Sequence, residues 1–360
     1  MKTNTSLLCR FAAVAALVLP ISQSAFAQTT ATTTPVGFVT VSIPSSGAQG
    51  TPAYTFVALS ILNPIAWQST STGITTTTTA NDTLADSAAS WADNAYNSAT
   101  AGAPPTHFVE VLSTTSGSNV GTLYDIVTTN GAAKKLTVSG AFPSDTQSYA
   151  IRPHWTLASV FGTTNQNGLT GGTSVSADQI QLFTGTGYQT YYYKTTTTFG
   201  GAGWRSTNST SADTSTTVIY PTAGILIVNN QATAESVVVS GTVKTGQTSI
   251  PVTSGFSLLG NVYSAGMTLG NSNIYTGDPA TGLAGGTSVT ADQLQFWNGS
   301  GFNTYYYKTT TTFGGAGWRS TNSTSVDASA TLIPVGAALF VSRAGAWFTW
   351  VAPQFPASFN

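Results

Sequence analysis

Two blocks of aromatic residues are the part of the sequence best suited to binding a ligand. In each block, three consecutive tyrosines precede a Gly-rich stretch that ends in Trp-Arg. Exposed rings beside an arginine would form a platform for sugar rings or for a protein partner. Side chains alternate along a strand, so the middle tyrosine takes the opposite face and packing in a core is the alternative. The candidate residues are Tyr191, Tyr192, Tyr193, Trp204 and Arg205, with Tyr305, Tyr306, Tyr307, Trp318 and Arg319.

Two aspartates form the second candidate pair. Asp178 and Asp292 each stand in Ala-Asp-Gln before an apolar stretch. One interpretation is a ligand or calcium contact that is repeated in each domain. The other, which we favour, is that each carboxylate caps a turn by accepting backbone N–H groups.

Metal and catalytic patterns are sparse. Asp82, Asp86 and Asp93 are the one local acidic group, and they lack the regular spacing of a calcium loop, so calcium is a weak candidate there. His107 and His154 are the only histidines, and we expect both on the surface. The sequence has no His or Cys pair at metal-binding spacing and no Gly-x-Ser-x-Gly elbow. We therefore predict no metal, no cofactor and no enzymatic activity.

An internal repeat dominates the second half of the chain. Residues Thr190–Asn208 recur letter for letter as Thr304–Asn322. Directly upstream, Gly171–Leu182 matches Gly285–Phe296, and further back Thr156–Leu157 matches Ser257–Leu258. The change in spacing predicts an insertion in the second copy near Ser264–Asp278, most simply a longer loop.

The first residues have the features of a secretory signal peptide. Lys2 and Arg10 precede the apolar run Phe11–Leu19, and Ala25–Ala27 supplies small residues for cleavage before Gln28. The run is too short to span a bilayer, and no later segment is long and apolar enough to do so. We expect a secreted protein, extracellular or at the cell surface, without a transmembrane helix in the mature chain.

Charge is scarce in this sequence. Only 6% of the residues are charged, against about 25% in average soluble domains. Removing the signal peptide changes the formal net charge from −1 to −3, and it removes Cys9, the one cysteine. The chain has no basic stripe for nucleic acid and no polybasic patch for anionic lipid. A surface so close to neutral favours association.

Strand-forming residues prevail throughout the mature chain. Thr, Val, Tyr, Phe and Ile alternate with punctuating Gly, Asn, Ser and Pro, and one short helix is predicted at Leu84–Ala95. The predicted fold class is all-β, with tandem β-sandwich or barrel-like repeat domains and little helix. The predicted divisions are a signal peptide at 1–27, an N-terminal β region at 28–134, β repeat 1 at 135–234, and β repeat 2 with a C-terminal strand at 235–360. Whether the N-terminal region is a diverged third repeat stays open.

Several short motifs resemble a known family. They are Pro35–Thr40, then Thr106–Val111 leading to Gly121–Val127 and Lys135–Val138, and the Ala-Asp-Gln strands that end in Gly-Trp. Together they resemble a family of exported β-rich proteins of unknown function restricted to Verrucomicrobia and Planctomycetes. The resemblance implies secretion and a β-rich fold, and it brings no catalytic residues.

These features favour a structural role. We predict a self-assembling subunit of a surface layer, sheath or filament, whose partners are copies of itself or other surface proteins. Strands rich in Thr and poor in Lys lack the usual protection against edge pairing, and residues Gln28–Ile43 are expected to add to a neighbour's sheet. The alternative is a glycan-binding or adhesive protein that holds polysaccharide on the repeated tyrosines and tryptophans.

Overall fold

The computed structural model describes residues 35–69 and 81–353. The predicted signal peptide and residues 28–34 lie outside this part of the chain. Within it, no helix is long and apolar enough to cross a membrane. From Pro35 onward the described residues belong to one compact unit.

The described residues form 25 strands and one short helix, which confirms the all-β prediction. Up to residue 153 the strands are β1 (Val36–Ile43), β2 (Ala53–Ala58), β3 (Ile61–Leu62), β4 (Trp67–Ser69), β5 (Thr83–Ala85), β6 (His107–Thr114), β7 (Leu123–Asn130), β8 (Lys135–Val138) and β9 (Thr146–Pro153).

The rest of the chain adds the remaining elements. From residue 155 they are β10 (Trp155–Thr156), helix α1 (Leu157–Phe161), β11 (Gln179–Phe183), β12 (Tyr188–Lys194), β13 (Gly203–Ser206), β14 (Val218–Ile219), β15 (Gly224–Asn229) and β16 (Glu235–Val243). After these come β17 (Thr248–Val252), β18 (Gly255–Gly260), β19 (Met267–Thr268), β20 (Gln293–Trp297), β21 (Phe302–Lys308), β22 (Gly317–Ser320), β23 (Leu332–Ile333), β24 (Ala338–Arg343) and β25 (Phe348–Ala352).

Two five-stranded antiparallel sheets have the same strand order. One runs β13-β12-β11-β15-β2 and the other β22-β21-β20-β24-β18. Beside each lies a smaller sheet in which β1 pairs with β16, or β17 with β25. The short pairs β10-β14 and β19-β23 also correspond. Nine strands therefore match one to one, and we name β1, β2 and β10–β16 the first repeat and β17–β25 the second repeat.

The first repeat is interrupted by a separate sheet. Six residues separate β18 from β19, whereas 96 residues separate the equivalent strands β2 and β10. These 96 residues include the six-stranded sheet β4-β9-β6-β7-β8-β5, which we name the inserted sheet. The expected insertion in the second copy was therefore wrong. In the strand pairing, Thr156 of β10 is equivalent to Thr268 of β19 and not to Ser257. The long additional segment therefore lies in the first repeat, before β10.

The strand pairing also crosses the predicted boundaries. β1 and β2 lie within 28–134, yet they pair with β16 and β15. Antiparallel ladders can join distant segments, so position in the chain does not decide which sheet a strand enters.

Three hydrophobic cores fill these layers. In each repeat the core lies between the five-stranded sheet and the smaller sheet, as in a β-sandwich. Trp204 and Trp318 occupy equivalent places in the two sandwich cores. A third core, which includes Leu84 and Tyr149, lies under the inserted sheet.

The predicted helix at Leu84–Ala95 was wrong. Leu84 pairs with Leu136 in the inserted sheet and is fully buried there. Asn94 has a φ of 58°, which a right-handed helix does not allow. Among the residues that the structure describes, the one helix is α1, where Thr156 and Ser159 form a capping box.

Candidate functional site

The aromatic side chains of the predicted platforms are buried or half-buried. Tyr192 and Tyr306 are 2% and 1% exposed, and Trp204 and Trp318 belong to the cores. The flanking residues Tyr191, Tyr193, Tyr305 and Tyr307 are half-buried and pack against the same cores. A sugar ring needs an open aromatic face, and these tyrosines and tryptophans use their faces for packing.

The cations of these blocks bind backbone carbonyl groups. Lys194 donates to the carbonyl oxygens of Thr198, Phe199 and Thr210, at 2.8 Å for Phe199 and 3.2 Å for Thr210. Arg205 donates to the carbonyls of Gly200 and Gly201, among others, and is 4% exposed. Carbonyl oxygens carry partial negative charge, so they compensate a buried cation and fix the Gly-rich loop.

The second repeat reproduces this arrangement. Lys308 holds the carbonyls of Thr312, Phe313 and Thr324, and Arg319 holds those of Gly314 and Gly315. Each loop carries one highly exposed phenylalanine with a positive φ, and these are Phe199 and Phe313. The repeated blocks therefore build two equivalent loops, each held by one buried lysine and one buried arginine.

Asp178 and Asp292 each cap local backbone groups. Asp178 accepts the N–H groups of Thr170 at 2.6 Å and Asn230 at 2.9 Å. Asp292 accepts those of Ala284 at 2.8 Å and Ala344 at 3.1 Å. Both carboxylates are buried, so they join loops to the sheet rather than present oxygen atoms to a ligand.

The two aspartates differ in their charged neighbours. Asp292 forms an ion pair with Arg343 at 2.7 Å. Asp178 has Glu235 beside it instead, and Thr170 donates its hydroxyl to that glutamate at 2.6 Å. Burial, together with a hydrogen bond to Asp178, raises the pKa of Glu235 to about 7. In the first repeat, Asp178 therefore lies beside a second carboxyl group. In the second repeat, Arg343 neutralises the charge of Asp292.

The weak calcium candidates do not converge on a common point. Asp82 accepts the N–H of Phe142 at 2.7 Å, and Asp93 accepts that of Gly131 at 2.7 Å. Asp86 accepts the Tyr149 hydroxyl at 2.7 Å, and although burial opposes it, this bond and others lower the pKa of Asp86. Within residues 35–69 and 81–353, no three acidic, His or Cys side chains are grouped as metal ligands.

Sequence reasoning missed two polar clusters where the inserted sheet meets the repeats. Glu110 is 1% exposed and accepts from Arg152 at 2.9 Å and from Lys244, which follows β16. Burial by itself raises the pKa of Glu110, but the two cations lower it overall. Charged residues so far apart in sequence give no local signal that they will meet.

The second cluster corrects the prediction for His154. This histidine is buried, its Nε2 lies 3.0 Å from Asp125 Oδ1, and its Nδ1 is buried without a hydrogen-bond partner. Tyr220, which follows β14, donates to Asp125 Oδ2 at 2.8 Å. Neither ring nitrogen is open to a substrate, so His154 joins the inserted sheet to the first repeat and is poorly placed for proton transfer.

No protein-family model, curated protein or solved structure matches this chain. The resemblance to an exported bacterial family therefore stays a prediction.

Proposed function

We propose that this protein is a secreted, non-enzymatic structural subunit that self-assembles at the cell surface or in the extracellular matrix. The observation that carries the proposal is the open edge of β1. This strand pairs with β16 on one side and has no second strand neighbour among the described residues.

The open edge of β1 is apolar and uncharged. Val36 and Phe38 are 78% and 71% exposed. The carbonyl of Pro35 accepts the N–H of Val243, and backbone groups alternate along an antiparallel strand. The N–H and C=O groups of alternate residues from Val36 to Ser42 therefore point away from β16. An unprotected edge of this kind is a template for another strand.

In the second repeat, the edge of the strand equivalent to β1 is closed. Its edge strand β17 contains Pro251, which has no N–H to offer. The inserted sheet also covers β17, because Ser249 donates its N–H to the Gly121 carbonyl at 3.1 Å and its hydroxyl to the Val120 carbonyl at 2.8 Å. A Cβ at Gly121 would lie 2.1 Å from the Gln247 carbonyl oxygen, so this contact requires glycine. One of two equivalent edges is closed, and the other is open.

The partner that fits this edge is β1 of a second copy. Two β1 strands related by a twofold axis pair antiparallel and bring their exposed Val36 and Phe38 side chains together. The strand has no Lys, Arg, Asp or Glu to oppose pairing. This pairing differs from the expected donation of Gln28–Ile43 to a neighbour's sheet. β1 already belongs to a sheet of its own chain, and its Val41 and Ile43 are buried in the core of the first repeat.

The test uses residues 28–360 with single lysine substitutions. We expect the unsubstituted chain to form dimers or larger assemblies in light scattering and negative-stain electron microscopy, and Phe38→Lys or Thr40→Lys to leave monomers. Val238→Lys is the matched control, since it adds the same charge on β16, one strand away from the edge. A monomer at every concentration in the unsubstituted chain would overturn the proposal, and so would unchanged assembly in both β1 variants.

Glycan binding was the alternative prediction. Its residues are buried or half-buried, so we do not propose binding at those positions. A different surface of the second repeat suits a saccharide.

A further inference from the structure

A groove of about 590 Å³ lies beside the loop that enters β25. Trp347 forms one side of it and is 69% exposed. An exposed indole beside a groove presents a flat apolar surface that a ligand can cover. Phe348, the next residue, is buried, so the backbone of this loop is anchored while the Trp347 ring stays open.

The other side chains at the groove are neutral, and most are polar. They include Asn273, Thr276, Thr281, Thr349 and Val351. Asn273 donates its amide N–H to the Val351 carbonyl at 3.1 Å, and the Thr276 and Thr281 hydroxyls lie 2.8 Å apart. These bonds fix the polar side chains, whose oxygen atoms keep capacity to accept hydrogen bonds without carrying charge. This combination of a flat aromatic ring and neutral polar groups matches a pyranose ring, which has an apolar C–H face and a rim of hydroxyl groups. A charged ligand would find no counter-ion among these residues.

Both walls of the groove are fixed by one buried side chain. Arg343 donates to the Pro279 carbonyl at 2.6 Å and to the Gly282 carbonyl at 3.1 Å, which holds the wall that contains Thr281. It also donates to the Ala346 carbonyl and stacks 4.6 Å over the Phe348 ring, which holds the Trp347 loop. The ion pair with Asp292 neutralises the guanidinium inside the protein. A rigid groove loses little entropy when a ligand binds.

At the equivalent described positions, the first repeat has different residues from those that build this groove. In the strand registers, Arg343 corresponds to Asn229, and Phe348 corresponds to Glu235. The residue before Glu235 is Ala234, where the second repeat has Trp347. The identical blocks of the two repeats build their cores, whereas the groove arises where the sequences diverge.

We propose that the Trp347 groove is a binding site for neutral saccharide chains, with a sugar ring stacked on the indole. The site lies on the second repeat and does not depend on the open edge of β1. An assembled layer with such a site on each subunit would hold polysaccharide through many weak contacts.

The test is co-sedimentation of residues 28–360 with insoluble cellulose, chitin and xylan, and affinity electrophoresis in acidic polygalacturonate. We expect binding to at least one neutral polysaccharide and none to the acidic one. Trp347→Ala should weaken that binding about tenfold or more, because it removes the stacking surface. Phe313→Ala, which removes another highly exposed ring of the second repeat, should leave it unchanged, and both variants should keep the parent melting temperature.

Three results would overturn the proposal. One is no binding to any neutral polysaccharide, and another is equal binding by the Trp347→Ala variant. The third concerns residues 354–360, which follow the groove strand and contain Phe355 and Phe359. If only a chain truncated after residue 353 binds, the C-terminal residues occupy the groove in the intact protein. Oligomeric state should not change in the Trp347→Ala variant, which separates this test from the test of β1.

Discussion

Ala58 of β2 packs against Gly260 of β18, and these two residues are equivalent positions of the two repeats. A Cβ placed on Gly260 would lie 2.6 Å from the Ala58 Cβ. The hydrogen bonds around this contact are also equivalent. The Ala58 N–H donates to the Gly336 carbonyl at 2.8 Å, and the Gly260 N–H donates to the Thr222 carbonyl at 2.9 Å. The repeats therefore meet through one surface used twice, as subunits do in a twofold dimer.

This junction also closes two sheet edges. β2 and β18 are the outer strands of their sheets, and each faces the other repeat through the bridges Val57–Ala337 and Ala223–Leu259. Phe56 adds an aromatic cluster with Trp297, Phe302 and Phe340. Mutual coverage removes edges that would otherwise invite other chains.

Gly260→Ala should destabilise the junction. The added methyl has no room beside Ala58, and overpacking of this kind costs about 1–3 kcal/mol. Gly301→Ala is the control, because a Cβ at Gly301 meets nothing within 4 Å. Denaturant unfolding should separate the two variants, and equal unfolding midpoints would contradict the close contact.

Lys194→Met should destabilise the first repeat. The substitution keeps much of the side-chain volume but leaves three carbonyl oxygens without their donor, at a cost of about 2–4 kcal/mol. Lys308→Met should cost a similar amount, since its partners are equivalent. The exposed Lys135→Met is the control in the same denaturation experiment. A loss no larger than that of the control would show that the carbonyl groups do not need the cation.

Glu110→Gln should be more harmful than the loss of an exposed ion pair. It leaves Arg152 and Lys244 buried without their counter-ion, at a cost of about 3–5 kcal/mol. Asp213→Asn removes the carboxylate that faces Arg205, but Asp213 is 62% exposed, so we expect a loss of about 0–1 kcal/mol. The comparison is made by urea unfolding at pH 7. Similar losses in both variants would contradict the role given to burial.

The acid pair should make the protein less stable as the pH rises. The pKa of Glu235 is about 7 in the folded chain and returns towards 4.5 when the chain unfolds. Between these values the folded state holds a proton that the unfolded state releases, so the free energy of unfolding falls as the pH increases from about 4.5 to 7. Above pH 7 this contribution to the slope disappears.

Glu235→Gln isolates that contribution. A glutamine stays neutral and still donates a hydrogen bond to Asp178, so the variant should be more stable than the parent at pH 7.5 and similar to it at pH 4.5. Thermal unfolding of both proteins across this pH range measures their difference in stability. The other carboxylates are the same in both proteins, so their effects cancel in that difference. A constant difference at every pH would contradict a shared proton.

The sequence by itself determined the local character of the chain. The alternation of Thr, Val and aromatic residues was sufficient to predict an all-β protein, because such side chains suit a pleated surface. The identical blocks also fold identically, down to the carbonyl groups around Lys194 and Lys308. Asp178 and Asp292 could be assigned as caps, since a carboxylate before a strand accepts nearby N–H groups.

Only the tertiary structure decided which segments meet. Alternation shows that Tyr192 and Tyr193 take opposite faces, but it cannot show that both faces are covered. Nor can it pair β1 and β2 with strands that come more than 100 residues later, since an antiparallel partner is chosen by packing and not by proximity in sequence. The open edge of β1, the buried Glu110 and the exposed Trp347 all arise from those long-range choices.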